Sequence, residues 1–201
     1  MTDRIEDWST RDRLLDVAEQ LFAEKGVDSV SIRSINAAAQ LSPGILHYHF
    51  GNKDTLLEAI VARRMDEIME HRYAMINNLS TNTTPTTNDM AAILVTPLAH
   101  FVINNKQNGL SYVRLIARLH SDNSQILTAV TQRYHDHVLN PLHHLLKSSC
   151  EQLSAEQLSL RINFANHTLL QSACDWPIDE TALTSQARQL MAFIGAGLDA
   201  K

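Results

Sequence analysis

Hydrogen-bond donors and small residues are concentrated between Ser29 and Lys53, where 25 consecutive residues include no Asp or Glu. Phenol, imidazole and ammonium groups donate hydrogen bonds to phosphate oxygens, and the guanidinium fork of an arginine pairs with O6 and N7 of guanine. The side chains that carry these donors are Arg33, His47, Tyr48, His49 and Lys53. This stretch therefore holds the side-chain types that contact the phosphates and base edges of nucleic acid.

A short helix over residues 32–39 is predicted to position Arg33. Ser31 is suited to its N-cap, because a serine oxygen accepts a hydrogen bond from one of the first backbone N–H groups. The apolar positions recur on one side of this helix, so that Ile35 faces inward while Arg33 and Asn36 face outward.

A second short helix, over residues 43–49, is predicted after a turn that begins at Gln40. Ser42 is a suitable N-cap for it, and Pro43 stands at the first helical position, where its missing N–H costs nothing. The N-terminal amides carry partial positive charge, and Gly44 lets the backbone approach a partner closely. Two short helices joined in this way form a helix-turn-helix, whose second helix enters the major groove of DNA.

Longer helices are predicted on both sides of this motif, over residues 10–25 and 53–78. Ser9 begins a capping-box pattern for the first of them, and Gly26 is able to take the left-handed conformation that ends it. Asn52 is suited to cap the second. Both keep an apolar period of 3.6 residues, which indicates one buried stripe on each.

The rest of the chain predicts a flexible connection at residues 80–88 and then about five more helices. We expect kinks at Pro97 and Pro141. These helices cover residues 89–105, 110–120, 123–148, 154–174 and 179–198. The fold class is therefore all-α, with about nine helices: an N-terminal three-helix unit with the helix-turn-helix, followed by a larger helical unit.

Bulk properties exclude several classes of protein. A net charge of −5 argues against a polyanion binder that depends on total charge alone. No run approaches the roughly 18 apolar residues of a membrane span, and the first residues contain no apolar signal core, so we expect a cytoplasmic protein. Cys150 and Cys174 form no CxxC pair and are expected to be free thiols.

The segment from Ser31 to Leu56, SIRSINAAAQLSPGILHYHFGNKDTL, resembles the signature of the TetR family of transcriptional regulators. By this resemblance, the residues nearest the bases are Arg33, Ser42, Pro43, Gly44 and His47. The residues that hold phosphates are, by the same resemblance, Ser31, Tyr48, His49 and Lys53.

Three positions depart from the usual pattern of that family. Gln40 stands where a turn glycine is expected, Asn36 where an alanine is expected, and His47 where an aromatic residue, often Tyr, is expected. A left-handed glutamine costs on the order of 1 kcal/mol, so this departure bears on the detailed turn geometry more than on the motif. An imidazole at His47 would let base binding respond to pH.

The resemblance also implies a dimeric repressor, with a DNA-binding domain over residues 1–52 and an effector-binding and dimerisation domain over residues 53–201. Its partners would be a near-palindromic double-stranded operator, a second copy of the chain and a small effector that displaces the long fourth helix. No cofactor and no membrane are expected. The segment of residues 112–121 weakly resembles the fatty-acid-responsive branch, which favours an apolar or amphiphilic effector.

An effector pocket is predicted among the fifth to seventh helices, where a few polar groups stand among apolar ones. The predicted pocket residues are His100, Phe101, Arg114, Leu115, Arg118, Leu119, His120 and Tyr134. The alternative that these are ordinary core residues with satisfied polar groups stays open.

The last two helices carry apolar stripes that a four-helix interface around a twofold axis would bury. The predicted interface residues are Leu158, Ile162, Ala165, Leu169, Ala173, Leu183, Ala187, Leu190, Met191 and Ile194. Packing within one chain gives the same periodicity, so the expectation of a dimer depends mainly on the resemblance.

Three other functions are weighed against a repressor. An enzyme is not expected, because the sequence holds no phosphate-binding glycine loop, nucleophile elbow or HExxH motif. A metal- or redox-responsive regulator is disfavoured, because only His137 and His144 among the histidines of residues 135–144 share a helix face, and no metal site is expected. A helical effector-binding module without DNA binding stays open through the departures at Gln40 and Asn36.

Overall fold

The computed structural model describes residues 2–79 and 85–200, and every regular element within those ranges is helical. The nine α-helices there are α1 (Thr2–Lys25), α2 (Ile32–Ala38), α3 (Ile45–Phe50), α4 (Lys53–Asn77), α5 (Thr87–Ser121), α6 (Gln125–Gln132), α7 (Asn140–Ser149), α8 (Ala155–Ala173) and α9 (Glu180–Asp199). A π-helical segment, His135–Leu139, precedes α7. The predicted all-α class is confirmed.

The first helix is longer than its sequence pattern predicts. It begins at Thr2, so Ser9 lies inside α1 and the predicted start at Ser9 is wrong; the Ser9 side chain lies outside the described residues. The predicted end is confirmed, because Gly26 has a φ of +83° and its N–H donates to the Phe22 carbonyl oxygen at 3.0 Å. A left-handed glycine at this point satisfies a terminal carbonyl without steric cost.

The connection between α4 and α5 is shorter than predicted at its C-terminal side. Residues 80–84 of the predicted 80–88 connection lie outside the described residues. Thr86 caps α5, because its Oγ1 accepts from the Asp89 N–H at 3.2 Å while the Asp89 carboxylate accepts from the Thr86 N–H at 2.8 Å. This capping box places the start of α5 at Thr87.

The helix α5 spans the two helices predicted over residues 89–105 and 110–120. They are joined across a kink at Lys106, whose φ of 51° and ψ of −126° are not helical. Pro97, where a kink is expected, lies inside the helix, and the non-helical residue is Lys106 instead. This helix is buried along most of its length and packs against α1, α4, α8 and α9, which makes it the centre of the core.

The single helix predicted over residues 123–148 is instead divided into α6, the π-helical segment and α7. In the π-helical segment, the N–H groups of Val138 and Leu139 both donate to the Tyr134 carbonyl oxygen, at 3.0 and 3.1 Å. Pro141 lies in the first turn of α7, where its lack of an N–H is tolerated. The proline therefore follows directly on the π-helical segment, where the backbone passes into α7 without a break.

Candidate nucleic-acid interface and effector pocket

The helix α2 begins as the sequence predicts. The Ser31 Oγ accepts the Ser34 N–H at 3.1 Å, and the Ser34 Oγ accepts the Ser31 N–H at 3.1 Å. This reciprocal pair is a capping box, here closed by two serines. Ile35 is fully buried beneath the helix, and Arg33 on the other side is exposed.

The turn after α2 has the geometry of a Schellman motif. The Gln40 N–H donates to the Ala37 carbonyl oxygen at 3.1 Å, and the Leu41 N–H donates to the Asn36 carbonyl oxygen at 2.9 Å. This pair of bonds requires a left-handed conformation at the residue that donates the first of them. That residue is Gln40, and its φ is +54°. The turn expected of a glycine is therefore formed by a glutamine.

The third helix begins at Ile45, two residues later than predicted. Gly44 is its N-cap and has a φ of +100° and a ψ of −20°, so it cannot continue a right-handed helix. The predicted N-cap at Ser42 is wrong. Gly44 has no side chain to cap the first turn, and the first N–H groups of a helix need another acceptor.

The amide of Asn36 provides that acceptor. Its Oδ1 accepts the backbone N–H of Leu46 at 3.2 Å, in a buried position. The expectation that Asn36 faces outward is wrong, because the residue is only 4% exposed. Its departure from the family pattern therefore has a structural role: a side chain from α2 caps α3.

Most of the residues predicted to contact DNA lie exposed on α2, the turn and α3. Tyr48 is the most prominent, with 77% of its surface exposed, while Leu46 and Phe50 anchor α3 in the core beneath it. We call this set the reader surface: Ser31, Arg33, Ser42, Pro43, Gly44, His47 and Tyr48.

Two other predicted contact residues are less accessible. His49 is half-buried, with its ring 5.0 Å from that of Tyr48 between centroids. The Lys53 Nζ donates to the carbonyl oxygens of Val27 and Val30 at 3.0 and 3.3 Å. Lys53 thus holds the loop between α1 and α2. Its ammonium group has three N–H donors, and the third is available for the predicted phosphate contact.

Sequence reasoning missed a charged junction between α1 and α4. The Arg63 Nη2 lies 2.7 Å from the Asp16 Oδ1 and 3.2 Å from the Glu19 Oε2, and the Arg64 Nε lies 3.3 Å from the same Glu19 oxygen. Burial raises the pKa of Glu19, while the charges of Arg64 and Arg63 oppose that shift. The spacing i, i+3 of Asp16 and Glu19 places both on one helix face, which was the available signal.

A cavity of about 470 Å³ lies among α4, α5, α6, α7 and α8, within the size range of small-molecule sites. Its lining is mostly apolar, with Met65, Met69 and Leu98 among the contributing residues. Leu119 and His120 are the two predicted pocket residues that line it. Burial lowers the pKa of His120, and the nearby His167 adds to this effect.

The other predicted pocket residues lie elsewhere. Phe101 and Leu115 belong to the core, and the Arg114 Nε donates to the Cys174 carbonyl oxygen at 3.0 Å. Arg118 lies beside Gly26, the His100 ring contacts that of His71 edge to face, and the Tyr134 hydroxyl donates to Asp66. These six assignments, His100, Phe101, Arg114, Leu115, Arg118 and Tyr134, do not describe the cavity wall.

The helix α4 supplies cavity residues that sequence reasoning assigned to an ordinary core stripe. Met65, Ile68, Met69 and Arg72 all line the cavity. Their spacing of i, i+3, i+4 and i+7 showed that they share a face. No sequence signal distinguishes a face that packs tightly from one that borders a void.

Most of the predicted interface residues are buried within the single chain. Leu158, Ala165, Leu169, Ala173, Leu183, Ala187, Leu190 and Ile194 are buried, while Ile162 and Met191 are half-buried. For the eight buried residues the assignment to a surface between copies is therefore wrong, because the stripes pack onto α5 and onto each other, whereas for Ile162 and Met191 it stays a prediction. The large apolar side chains that these two helices expose are instead Leu160, Phe164 and Phe193.

Metal and disulfide chemistry have little support in the described ranges. Among those residues, no group of three or more His, Cys, Asp or Glu side chains is arranged to hold a metal ion. Cys150 and Cys174 are free thiols, as predicted. None of the described helices is both long and apolar enough to cross a membrane.

Two family models match the chain. One, described as "Bacterial regulatory proteins, tetR family", matches residues 14–60, which include the helix-turn-helix. The other, described as "Tetracyclin repressor-like, C-terminal domain", matches residues 92–197, more than half of the chain. The two matches lie on either side of the end of α4.

Curated relatives and solved structures agree with these models. The HTH-type transcriptional regulator UidR of Escherichia coli strain K12 is 35% identical over 60 residues, which are 30% of this chain and only 31% of that regulator. FadR of Bacillus subtilis, in complex with stearoyl-CoA, has a TM-score of 0.63 at 15% identity over 92% of this chain and 97% of that one. The ketosteroid regulator KstR2 of Mycobacterium tuberculosis has a TM-score of 0.66 at 18% identity over 95% of each chain. At these identities the structural likeness shows a shared fold.

Proposed function

The chain belongs to the TetR family of bacterial regulatory proteins, and from this premise we propose that it is a DNA-binding transcriptional repressor that a small effector releases from its operator. The observation that carries the proposal is the exposed reader surface on the helix-turn-helix. Arg33 supplies a fork for a base edge, and Tyr48 supplies a hydroxyl for a phosphate. As a reader of chromosomal DNA, the protein would act in the cytoplasm.

We assign DNA binding to residues 1–52 and effector binding with dimerisation to residues 53–201. The helix α4 joins the two parts, because it contacts α1 and α3 on one side and α5 and α6 on the other. The cavity borders the C-terminal half of α4 through Met69 and Arg72. An occupant that shifts this half of the helix would also shift the reader surface, which is the means of release we propose.

Dimerisation is assigned to the exposed apolar face of α8 and α9. Phe164 is 59% exposed and Phe193 is 67% exposed, which is unusual for phenylalanine on a free surface. Gly197 lies one helical turn after Phe193, and a Cβ there would meet nothing within 4 Å, so the single chain does not require its small size. Such a face allows close approach of a second copy around a twofold axis.

The effector is assigned to the apolar or amphiphilic class. The mostly apolar lining of the cavity supports this choice. The names of two structural neighbours agree with it, since one is a ketosteroid regulator and the other holds stearoyl-CoA.

The proposal is tested by titrating the full chain into a labelled duplex of the promoter beside its own gene. We expect specific binding with a Kd of about 10⁻⁸ M or tighter and a steep loss of affinity with salt. A scrambled duplex of the same length is the control. Equal binding to both duplexes, or no binding to either, would contradict the proposal.

A second duplex tests the dimeric arrangement. Inserting about five base pairs between the half-sites rotates one of them by half a helical turn relative to the other. A dimer that binds both half-sites would therefore lose most of its affinity. A single reader would bind the altered duplex as well as the original one.

A further inference from the structure

Arg72 brings a cation to the wall of the otherwise mostly apolar cavity. This side chain is half-buried on α4 and lines the cavity beside Met69 and Leu94. Its Nε donates to the Ile93 carbonyl oxygen and its Nη2 to the Leu94 carbonyl oxygen, each at 3.2 Å. Its Nη1 lies 3.7 Å from the Met69 sulfur, which is a weak acceptor.

One of these contacts follows from Pro97. In an α-helix, the carbonyl oxygen of Ile93 would accept the N–H of the residue four positions later, but a proline has no N–H to give. The Arg72 Nε–H takes its place. This accounts for one donor of the guanidinium and joins α4 to α5 beside the cavity.

The positive charge of Arg72 has no counter-ion among the described residues. Within the part of the chain that the structure describes, no carboxylate forms an ion pair with Arg72, and no acceptor is recorded for the other two N–H groups of its guanidinium. Burial lowers the pKa of Arg72 to about 10, so the group is still charged at neutral pH. His120, with its lowered pKa, is neutral there and adds no second charge.

A half-buried cation that is held by neutral acceptors alone, here two carbonyl oxygens and a thioether sulfur, is poorly compensated, because partial charges replace only part of the hydration that burial removes. The two remaining N–H groups, one on Nη1 and one on Nη2, can donate to the oxygens of a carboxylate or a phosphate. Any ligand that carries a negative group to this point would gain a charge-assisted hydrogen bond and would itself be shielded from water.

We propose that Arg72 is the anion-binding group of the cavity and that the ligand is an anionic amphiphile, with an apolar body among the methionines and leucines and a negatively charged head on the guanidinium. This binding proposal depends on the proposed function only where it identifies the ligand as the effector. The head is a carboxylate or a phosphate, since both share the geometry that an arginine recognises.

The test measures binding of matched twelve-carbon probes to the full chain by calorimetry, without DNA and at neutral pH. The probes are dodecanoate, dodecyl phosphate, uncharged dodecanol and cationic dodecyltrimethylammonium, all below their micellar concentrations. We expect at least one of the two anions to bind about tenfold or more tightly than dodecanol, and the cation to bind most weakly. The better anion identifies the head group.

Two variants assign the preference to Arg72. In Arg72→Gln the preference for the anion over dodecanol should disappear, whereas Arg72→Lys should keep part of it, because the charge remains without the fork. Arg114→Gln is the matched control: this arginine on α5 also donates to a backbone carbonyl oxygen, at 3.0 Å, but lies outside the cavity. It should keep the full preference.

The proposal is overturned if the unaltered chain binds dodecanol as tightly as the anions, if it binds none of the probes, or if Arg72→Gln keeps the preference. The first two outcomes need no variant, so a folding defect in Arg72→Gln leaves the test intact. Because no DNA is present, these outcomes leave the proposed repressor function standing. Absence of operator binding would likewise leave the Arg72 measurement standing.

Discussion

The Asn36 side chain accepts the backbone N–H of Leu46 at 3.2 Å and so joins the two helices of the helix-turn-helix. The contact is buried, and the N-cap of α3, Gly44, makes no side-chain hydrogen bond of its own. A helix of six residues depends strongly on such a cap, because most of its N–H groups lie in the first turn. The orientation of the reader surface therefore depends on the Asn36 amide as well as on the buried side chains of Leu46 and Phe50.

Replacing Asn36 tests this dependence. We expect Asn36→Ala to lower the free energy of unfolding by about 1–2 kcal/mol, through loss of the cap and exposure of an unsatisfied N–H. Asn36→Leu, which keeps the volume without the acceptor, should also be destabilised. Urea unfolding measures both, and a Leu variant as stable as the unaltered chain would show that the hydrogen bond contributes nothing.

The left-handed Gln40 predicts a stabilising substitution. Gln40→Gly should raise the free energy of unfolding by about 0.5–1 kcal/mol, because glycine removes the steric cost of a φ of +54° at a smaller cost in chain entropy. Ala38→Gly is the matched control two residues earlier, in α2, and should lower the same free energy by about 1 kcal/mol. Destabilisation by Gln40→Gly would contradict the turn geometry.

The raised pKa of Glu19 predicts a pH dependence of stability. Burial, only partly opposed by Arg64 and Arg63, makes the folded chain bind the Glu19 proton more tightly than the unfolded chain does. The Glu19 contribution to the free energy of unfolding therefore decreases as pH rises from its ordinary pKa of 4.5 through its folded-state pKa.

Glu19→Gln removes this titration, so the stability of the unaltered chain minus that of the variant should decrease with rising pH over that window. Urea unfolding at several mildly acidic to neutral pH values gives the difference. A difference that increases with pH would mean that the two arginines outweigh burial at this site.

The exposed apolar face of α8 and α9 predicts the oligomeric state. The unaltered chain should have twice the mass of one 22.5 kDa chain in light scattering, whereas Phe193→Glu should be monomeric at the same concentration. Tyr73→Glu, at another exposed aromatic residue, on α4, is the control and should remain dimeric. A dimeric Phe193→Glu would place the interface elsewhere.

The sequence predicted the elements of the DNA-binding part well, because caps and breakers act locally. Ser31, Asn52 and Gly26 each mark a helix end as expected. The start of α3 was wrong, since Ser42 and Pro43 form a good local cap while the distant Asn36 provides the one that is used. A contact between two helices leaves no trace in a local pattern.

The larger helical part was predicted less well for a related reason. Apolar periodicity identified the buried face of α8 and α9 but not what covers it, so the stripe containing Leu169 and Leu190 was assigned to a second copy instead of α5. The cavity wall was missed on α4 because a void arises from imperfect packing of several helices. Only Leu119 and His120 of the predicted set border it.

The central claim is that the reader surface binds DNA. The operator affinities of two matched tyrosine variants test it most directly. Tyr48→Ala removes an exposed side chain from α3, and Tyr73→Ala removes one from α4, outside the reader surface. In anisotropy titrations with the operator duplex, we predict that Tyr48→Ala weakens binding by about tenfold or more, while Tyr73→Ala matches the unaltered chain. Equal affinity of all three proteins would contradict the claim.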